Sequence, residues 1–181
     1  NKIKAGNIRV YPFRLEDFKR GIIDTPFQKK IFLREIIVAG KTLYGEKIIE
    51  NMSPPEIFLI NAIQELRFNI GYAFSSMHSY RNKDKFTALF EFYKSCLFGT
   101  RSFLLLKKRE LFIPYNEIFL MSKEVDLGDY TDLVKTAYNC RIKKIEQSEV
   151  DIFRNMSYLN KFIEPQLISH FNKYGNEILI K

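Results

Sequence analysis

The side chains with the greatest chemical reach in this sequence are basic and aromatic, and they fall on two long segments of apolar patterning. Lys94 and Arg101 stand seven residues apart, so a helix carries both on one face. Arg67 and Asn69 lie in the preceding segment, with Tyr72, His78, Tyr80 and Arg81 toward its end. Cations on helices that otherwise pack inward can line a groove for an anion such as a triphosphate, through charge-assisted hydrogen bonds. The competing explanation is that their stems cover the apolar stripe while the charged heads stay in water. The candidate substrate-binding residues are Arg67, Tyr80, Lys94 and Arg101, and no residue is assigned a catalytic role.

Other constellations are weaker. His78 and His170 are far apart, with no Cys, Asp or Glu at ligand spacing, so no metal site is expected. No nucleophile elbow, P-loop or dinucleotide-binding glycine pattern occurs. Asp126 and Asp129 flank Gly128, a pattern that serves a cation or, more simply, a turn. Glu16 and Asp17 are adjacent and diverge on a helix, which makes them a poor acid–base pair. Lys107, Lys108 and Arg109 form a basic knot at a helix C-terminus, where the macrodipole accounts for them without a ligand.

The elements that must position these groups follow from patterning. Alternation from Ile8 to Tyr11 predicts a strand, which Pro12 ends. A short helix or turn follows and stops at Gly21. Thr25 and Pro26 predict a helix start, and Ile36-Ile37-Val38 a strand that ends at Gly40 and continues into "KTLYG" after a kink. The opening region therefore reads β-α-β. Ser53-Pro54-Pro55-Glu56 spells a capping box, from which the chain is expected to be helical to its end. Leu59, Ile63, Leu66, Ile70, Ala73 and Met77 give the first inner stripe. Asn82 is the expected cap of a second helix, with Phe86, Leu89, Phe90, Tyr93, Leu97 and Leu104 inward. Shorter helices are predicted after Pro114, from about Tyr130 to Ile145, and from Ser148 with Asp151, the last interrupted at Pro165. Short connections between amphipathic helices make this an antiparallel up-and-down bundle, so the fold class is α+β, mainly α, with residues 1–52 and 53–181 as two parts.

Composition bounds the partners. The 181 residues can bury a core unaided, and 17 Phe with 10 Tyr argue against disorder. Cys96 and Cys140 fall in apolar helical patterns as reduced core residues rather than a disulfide framework. No apolar run is long enough to span a bilayer and no secretory signal is visible, so the cytoplasm is expected and a membrane partner is not. A net charge of +8 is compatible with a nucleotide, nucleic acid or an acidic surface, and equally with solvated lysines.

The stretch from Asn7 to Ile48 resembles the tail of the catalytic domain of small nucleotidyltransferases of the DNA-polymerase-β type. The matching residues are Glu16 and Phe18, then Gly40, Lys41, Leu43, Tyr44 and Gly45, where "G-K-x-L-Y-G" closes the last strand of that domain. The segment "SCLFGTRSFLLLKKRELFIPYNEI" is similar to the centre of the helical bundle in kanamycin-type nucleotidyltransferases and HEPN proteins. The resemblance implies magnesium, a nucleoside triphosphate and an acceptor, with the bundle helping to bind acceptor or nucleotide. The family's Gly-Ser turn and paired aspartates precede this tail and are absent from this chain, which begins at Asn1, so they are expected upstream. Without them the chain alone is expected to be inactive. The HEPN nuclease pairing of Arg and His is also absent, since neither His78 nor His170 has an Arg at the required spacing. A rival reading is a non-catalytic helical module that oligomerises or pairs with a partner protein. A third is a nucleic-acid-binding protein, whose affinity would fall with salt.

Overall fold

The computed structural model describes residues 12–142 and 152–181. The expected strand at Ile8–Tyr11 and the expected helix start at Ser148–Asp151 lie outside the described residues. Helices α1 (Leu15–Lys19) and α2 (Lys29–Ala39) come first. A single 3-10 turn at Ile49–Asn51 and strand β1 (Ile57–Phe58) lead into the long helices α3 (Leu59–Arg81) and α4 (Lys85–Lys108). Helices α5 (Tyr115–Ser122), α6 (Thr131–Ile142), α7 (Ile152–Ser157) and α8 (Glu164–Tyr174) follow, then strand β2 (Ile178–Ile180). The class is α+β and mainly α, a helical bundle with one small antiparallel sheet.

The centre is the α3–α4 hairpin. Asn82 does not cap α4 but ends α3, its N–H bonding to His78 O at 3.0 Å. Lys83 has φ of 66°, a left-handed residue that separates the helices, so the cap falls to Asp84. Its Oδ1 accepts the Thr87 N–H at 3.1 Å. Glu65 and Arg101 lie at equal sequence distances from Lys83 and are bonded, as an antiparallel pair of helices requires. From Ser95 to Leu106 every residue of α4 is buried except the half-buried Phe98. A helix buried on all sides belongs in the middle of a bundle, with neighbours on several faces. Here α3 covers one side, α5 and α6 another, and the segment after α7 a third. Phe86, expected inward, is 72% exposed near the start of α4, where this enclosure has not yet begun.

Two local features admit the last helix. Residues Tyr158–Ile163 form a π-helical stretch between α7 and α8. The wide turn accommodates Pro165, which lacks an N–H and whose ring would collide with the carbonyl one turn earlier. Facing it, a Cβ on Gly99 would overlap Leu159 Cδ2, so glycine lets this segment approach α4 closely. The contact is fixed by Thr100 Oγ1 and Tyr158 Oη, 2.7 Å apart in the core.

The sheet lies elsewhere than expected. The Ser53–Glu56 capping box does not form: Pro55 disfavours a helical Pro54, and Pro54 does the same to Ser53, so the segment stays extended into β1. Helix α3 starts at Leu59 and is capped from both sides. Asn61 Oδ1 accepts the Phe58 N–H at 2.8 Å. Asn176 Oδ1 accepts the Ile60 N–H, and Glu177 O the Leu59 N–H, both at 2.9 Å. The chain is thus not helical to its end. Gly175, with φ of 74°, turns it back so that β2 pairs with β1, Ile57 opposite Ile180.

The β-α-β reading of the opening region fails at its second strand. Ile36, Ile37 and Val38 continue α2, and Thr25 is not its cap. Gln28 is the cap, Oε1 accepting the Ile31 N–H at 2.8 Å. Arg34 and Glu35, which look in the sequence like a break in the apolar face, are the helix's anchors to the bundle. Residues 41–47 form no strand, and Leu43 and Tyr44 are 94% and 99% exposed.

Candidate functional site

Helix α2 is held against the hairpin by charged side chains. Arg34 Nη1 donates to Pro55 O at 2.8 Å, and its Nη2 to Lys181 O at 2.9 Å, tying α2 to the flanks of both strands. One turn-face away, Arg101 reaches from the centre of α4 and donates one guanidinium nitrogen to Glu35 of α2 and another to Glu65 of α3. Arg101 and Glu65 are 5% and 4% exposed, so this is an ion-pair bridge inside the protein. Glu35 sits closer to solvent, its side chain 21% exposed.

Two carboxylates share one guanidinium, and that sets the electrostatics. Burial pushes the Glu65 carboxyl above the ordinary glutamate range; Arg101 opposes the rise and Glu35 adds to it. For Arg101, burial alone would lower the pKa, but the two glutamates outweigh it and hold the guanidinium charged. Glu65 Oε2 and Arg101 Nε have no hydrogen-bond partner among the described residues, so the bridge is not saturated.

Beside the bridge lies a cavity of about 170 Å³ between α2, α3 and α4. Its walls are largely aromatic. Phe27, just before α2, has its ring centroid 5.3 Å from Phe32 and 5.5 Å from Phe68. Phe68 stacks on Tyr72 at 5.9 Å, and Phe98 enters from α4 under the Arg101 guanidinium, 4.4 Å from ring centroid to carbon. Lys94 lines the same cavity. Its Nζ is 5.2 Å from the Tyr72 centroid, 6.0 Å from that of Phe27 and 3.8 Å from Glu91.

The structure brings together two of the four candidate residues. Lys94 and Arg101 meet in this cavity, at the seam between α2 and the hairpin. Arg67 lies on another face of α3, where its Nε donates to Glu164 at 2.8 Å on an exposed surface. Tyr80, near the end of α3, packs on the core with Lys85 Nζ 5.7 Å from its ring. Several other groups have local explanations. Asp126 Oδ1 accepts the Gly128 N–H at 2.8 Å, which makes the acidic loop a turn. In the basic knot, Lys108 pairs with Glu124 at 2.6 Å and Arg109 with Glu177 at 2.7 Å. Cys96 and Cys140 are free and buried.

Sequence reasoning missed Glu35 and Glu65, which give the site its charge. A signal for Glu65 existed. Glu65, Asn69, Tyr72 and Ser76 recur at helical steps along α3, and apart from the half-buried Tyr72 they are buried: a polar stripe facing inward. Such a stripe needs partners: Arg101 meets Glu65 and Lys94 meets Tyr72 from α4, while Asn69 and Ser76 donate to carbonyls of their own helix. Glu35 carried no comparable signal, because the strand expected at Ile36 took it out of the helix.

Among the described residues no cluster of three or more His, Cys, Asp and Glu side chains is placed to hold a metal ion. Nor does Arg101 offer a triphosphate an open fork, since both its terminal nitrogens are taken by carboxylates. No helix among the described residues is long and apolar enough to cross a membrane. No protein-family model matches the chain, and comparison with curated proteins and with solved structures returns no match.

Proposed function

We infer that this chain is the C-terminal, helical part of a nucleotidyltransferase-like protein of the cytoplasm, and that its bundle binds the acceptor rather than the nucleotide. The observation that carries this reading is the cavity between α2 and the α3–α4 hairpin, aromatic in its walls, in which Lys94 and Arg101 meet as many carboxylates, Glu35 and Glu65. A polyanionic triphosphate gains little there, whereas an organic acceptor finds apolar area and fixed polar groups. The resemblance of residues 40–45 to the closing strand of the catalytic sheet fits the exposure of Leu43 and Tyr44. Two adjacent large side chains bared to this degree suit a segment that joins a sheet. The metal-binding aspartates come from outside this chain.

The same exposed segment also favours a second reading, a non-catalytic module in which residues 41–47 pair with a partner or with another copy. Pyrophosphate release from each nucleoside triphosphate with magnesium, by the product of the complete reading frame, decides between them. The nucleotidyltransferase reading predicts release that depends on an added acceptor. No release with any nucleotide, together with a stable complex that Tyr44→Lys dissolves, would establish the binding module instead.

A further inference from the structure

A second groove, of about 470 Å³, shares no lining residue with the cavity beside Arg101 and has a different charge balance. It lies between the end of α1, the start of α2 and the connection that leads to β1. Four cations line it, Lys19, Arg20, Lys29 and Lys30, and no carboxylate does. Arg20, Lys29 and Lys30 are exposed and form no ion pair among the described residues. Lys30 Nζ stands 4.8 Å from the Phe58 ring centroid, a contact that does not neutralise its charge. Lys19 pairs with Glu46 at 3.1 Å on the surface, where such a pair is worth little and a stronger anion displaces it. The placement also works against the fold's own electrostatics. Lys29 and Lys30 open α2, whose first turn holds no acidic residue, although the positive end of the macrodipole disfavours cations there. A bound anion relieves both that penalty and the mutual repulsion of the four charges.

We propose that this groove binds the phosphodiester backbone of a single nucleic-acid strand, without regard to base. Phosphates take the four cations, and Ser53 adds a hydroxyl donor from the connection. No aromatic ring lines the groove, so a base finds no platform to stack on, and contacts to phosphate carry no sequence information. An extended anion suits the chain better than a compact one, because the cations run on ahead of α1. Lys2, Lys4, Arg9 and Arg14 fall in residues 1–14, which contain no acidic residue. The net charge of +8 favours the same partner. This inference does not depend on the acceptor reading of the other cavity.

The test is fluorescence anisotropy of labelled oligo-deoxythymidylate and oligo-deoxyadenylate with the whole chain over a range of salt concentrations. Both are expected to bind with similar affinity, which falls with salt at a logarithmic slope of about −3, about 0.7 for each of the four cations. Lys29→Glu is expected to weaken binding by roughly tenfold at low salt. The same variant should raise the melting temperature by about 1–3 °C, since an acid suits the first turn of a helix. A lysine with a merely structural role would not give weaker binding with a more stable fold. Should Lys29→Glu fail to fold, Arg20→Glu reads the affinity from the other wall. Lys135→Glu reverses the same charge at an exposed position on α6 outside the groove and should leave affinity nearly unchanged. Absence of binding, or an equal loss with Lys135→Glu, overturns the inference. So does inorganic tripolyphosphate that competes as well as the oligonucleotide at equal phosphate concentration, which would mark a compact-anion site. No nucleoside triphosphate takes part, so such a failure is separate from that of the nucleotidyltransferase reading, which falls on the absence of pyrophosphate release.

Discussion

Consider the replacement Arg101→Met. The methionine fills much of the arginine stem's volume but leaves the carboxylate of Glu65, 4% exposed, without its cation. Removing one partner of a buried ion pair costs about 3–5 kcal/mol, because the remaining charge is stranded in a poor solvent. Against a typical total stability of about 5–15 kcal/mol this is a large fraction. Glu35 is better solvated, so Glu35→Gln should cost at most about 3 kcal/mol, the upper range for a hydrogen bond to a charged group. Adding Glu65→Leu to Arg101→Met removes the stranded charge and should return most of the loss. Urea titration followed by circular dichroism measures all four species. With a slope of about 2 kcal/mol per molar, the single variant's midpoint should fall by roughly 1.5–2.5 M. A loss under about 1 kcal/mol for Arg101→Met would match an exposed pair such as Arg67 with Glu164 and refute the buried bridge.

Further outcomes follow from the packing and the charges. Gly99→Ala should lower the melting temperature: the overlap with Leu159 costs about 1–3 kcal/mol, more than the gain of about 1 kcal/mol in helix propensity. The hydrogen bonds from Arg109, and next His170, hold the Glu177 carboxyl below its ordinary value of 4.5. A depressed carboxylate stabilises the fold above the unfolded value and loses that contribution as pH falls through the folded one. Acidification below 4.5 should therefore lower the amide-exchange protection factors of Leu59 and Ile60, whose N–H groups bond to the Glu177 carbonyl and to Asn176. Glu177→Gln should flatten that dependence. Glu65 has the opposite sign, since its carboxyl is raised: its contribution is greatest at acid pH and declines as pH rises above 4.5. Glu65→Gln should thus reduce the decline of stability on the alkaline side.

What could be read from sequence alone divides by the range of the forces involved. The inner stripes of α3 and α6 were legible, because Leu59, Ile63, Leu66, Leu133, Val134, Ala137 and Cys140 each recur at a helical step and are buried. So was the pairing of Lys94 with Arg101 on one face. The boundary at Ser53 was misread because two adjacent prolines restrict the residue before each, which outweighs the capping hydroxyl. The true cap of α3 comes in part from Asn176 and Glu177, 116 and more residues away along the chain, which no local pattern reveals. The β-branched run at Ile36–Val38 spoke for a strand, but Arg34 and Glu35 bind the bundle and fix the helix through tertiary contacts. The final strand was hidden for the same reason: Ile178–Ile180 is short and gains its partner only once β1 is extended.

In the proposed function the cavity beside Arg101 is an acceptor site. Steady-state kinetics of Tyr72→Leu, measured on the product of the complete reading frame, tests it most directly. Loss of the ring that faces Lys94 should raise the acceptor KM by roughly tenfold and leave the nucleotide KM unchanged. A rise in the nucleotide KM with the acceptor KM unaltered would contradict it.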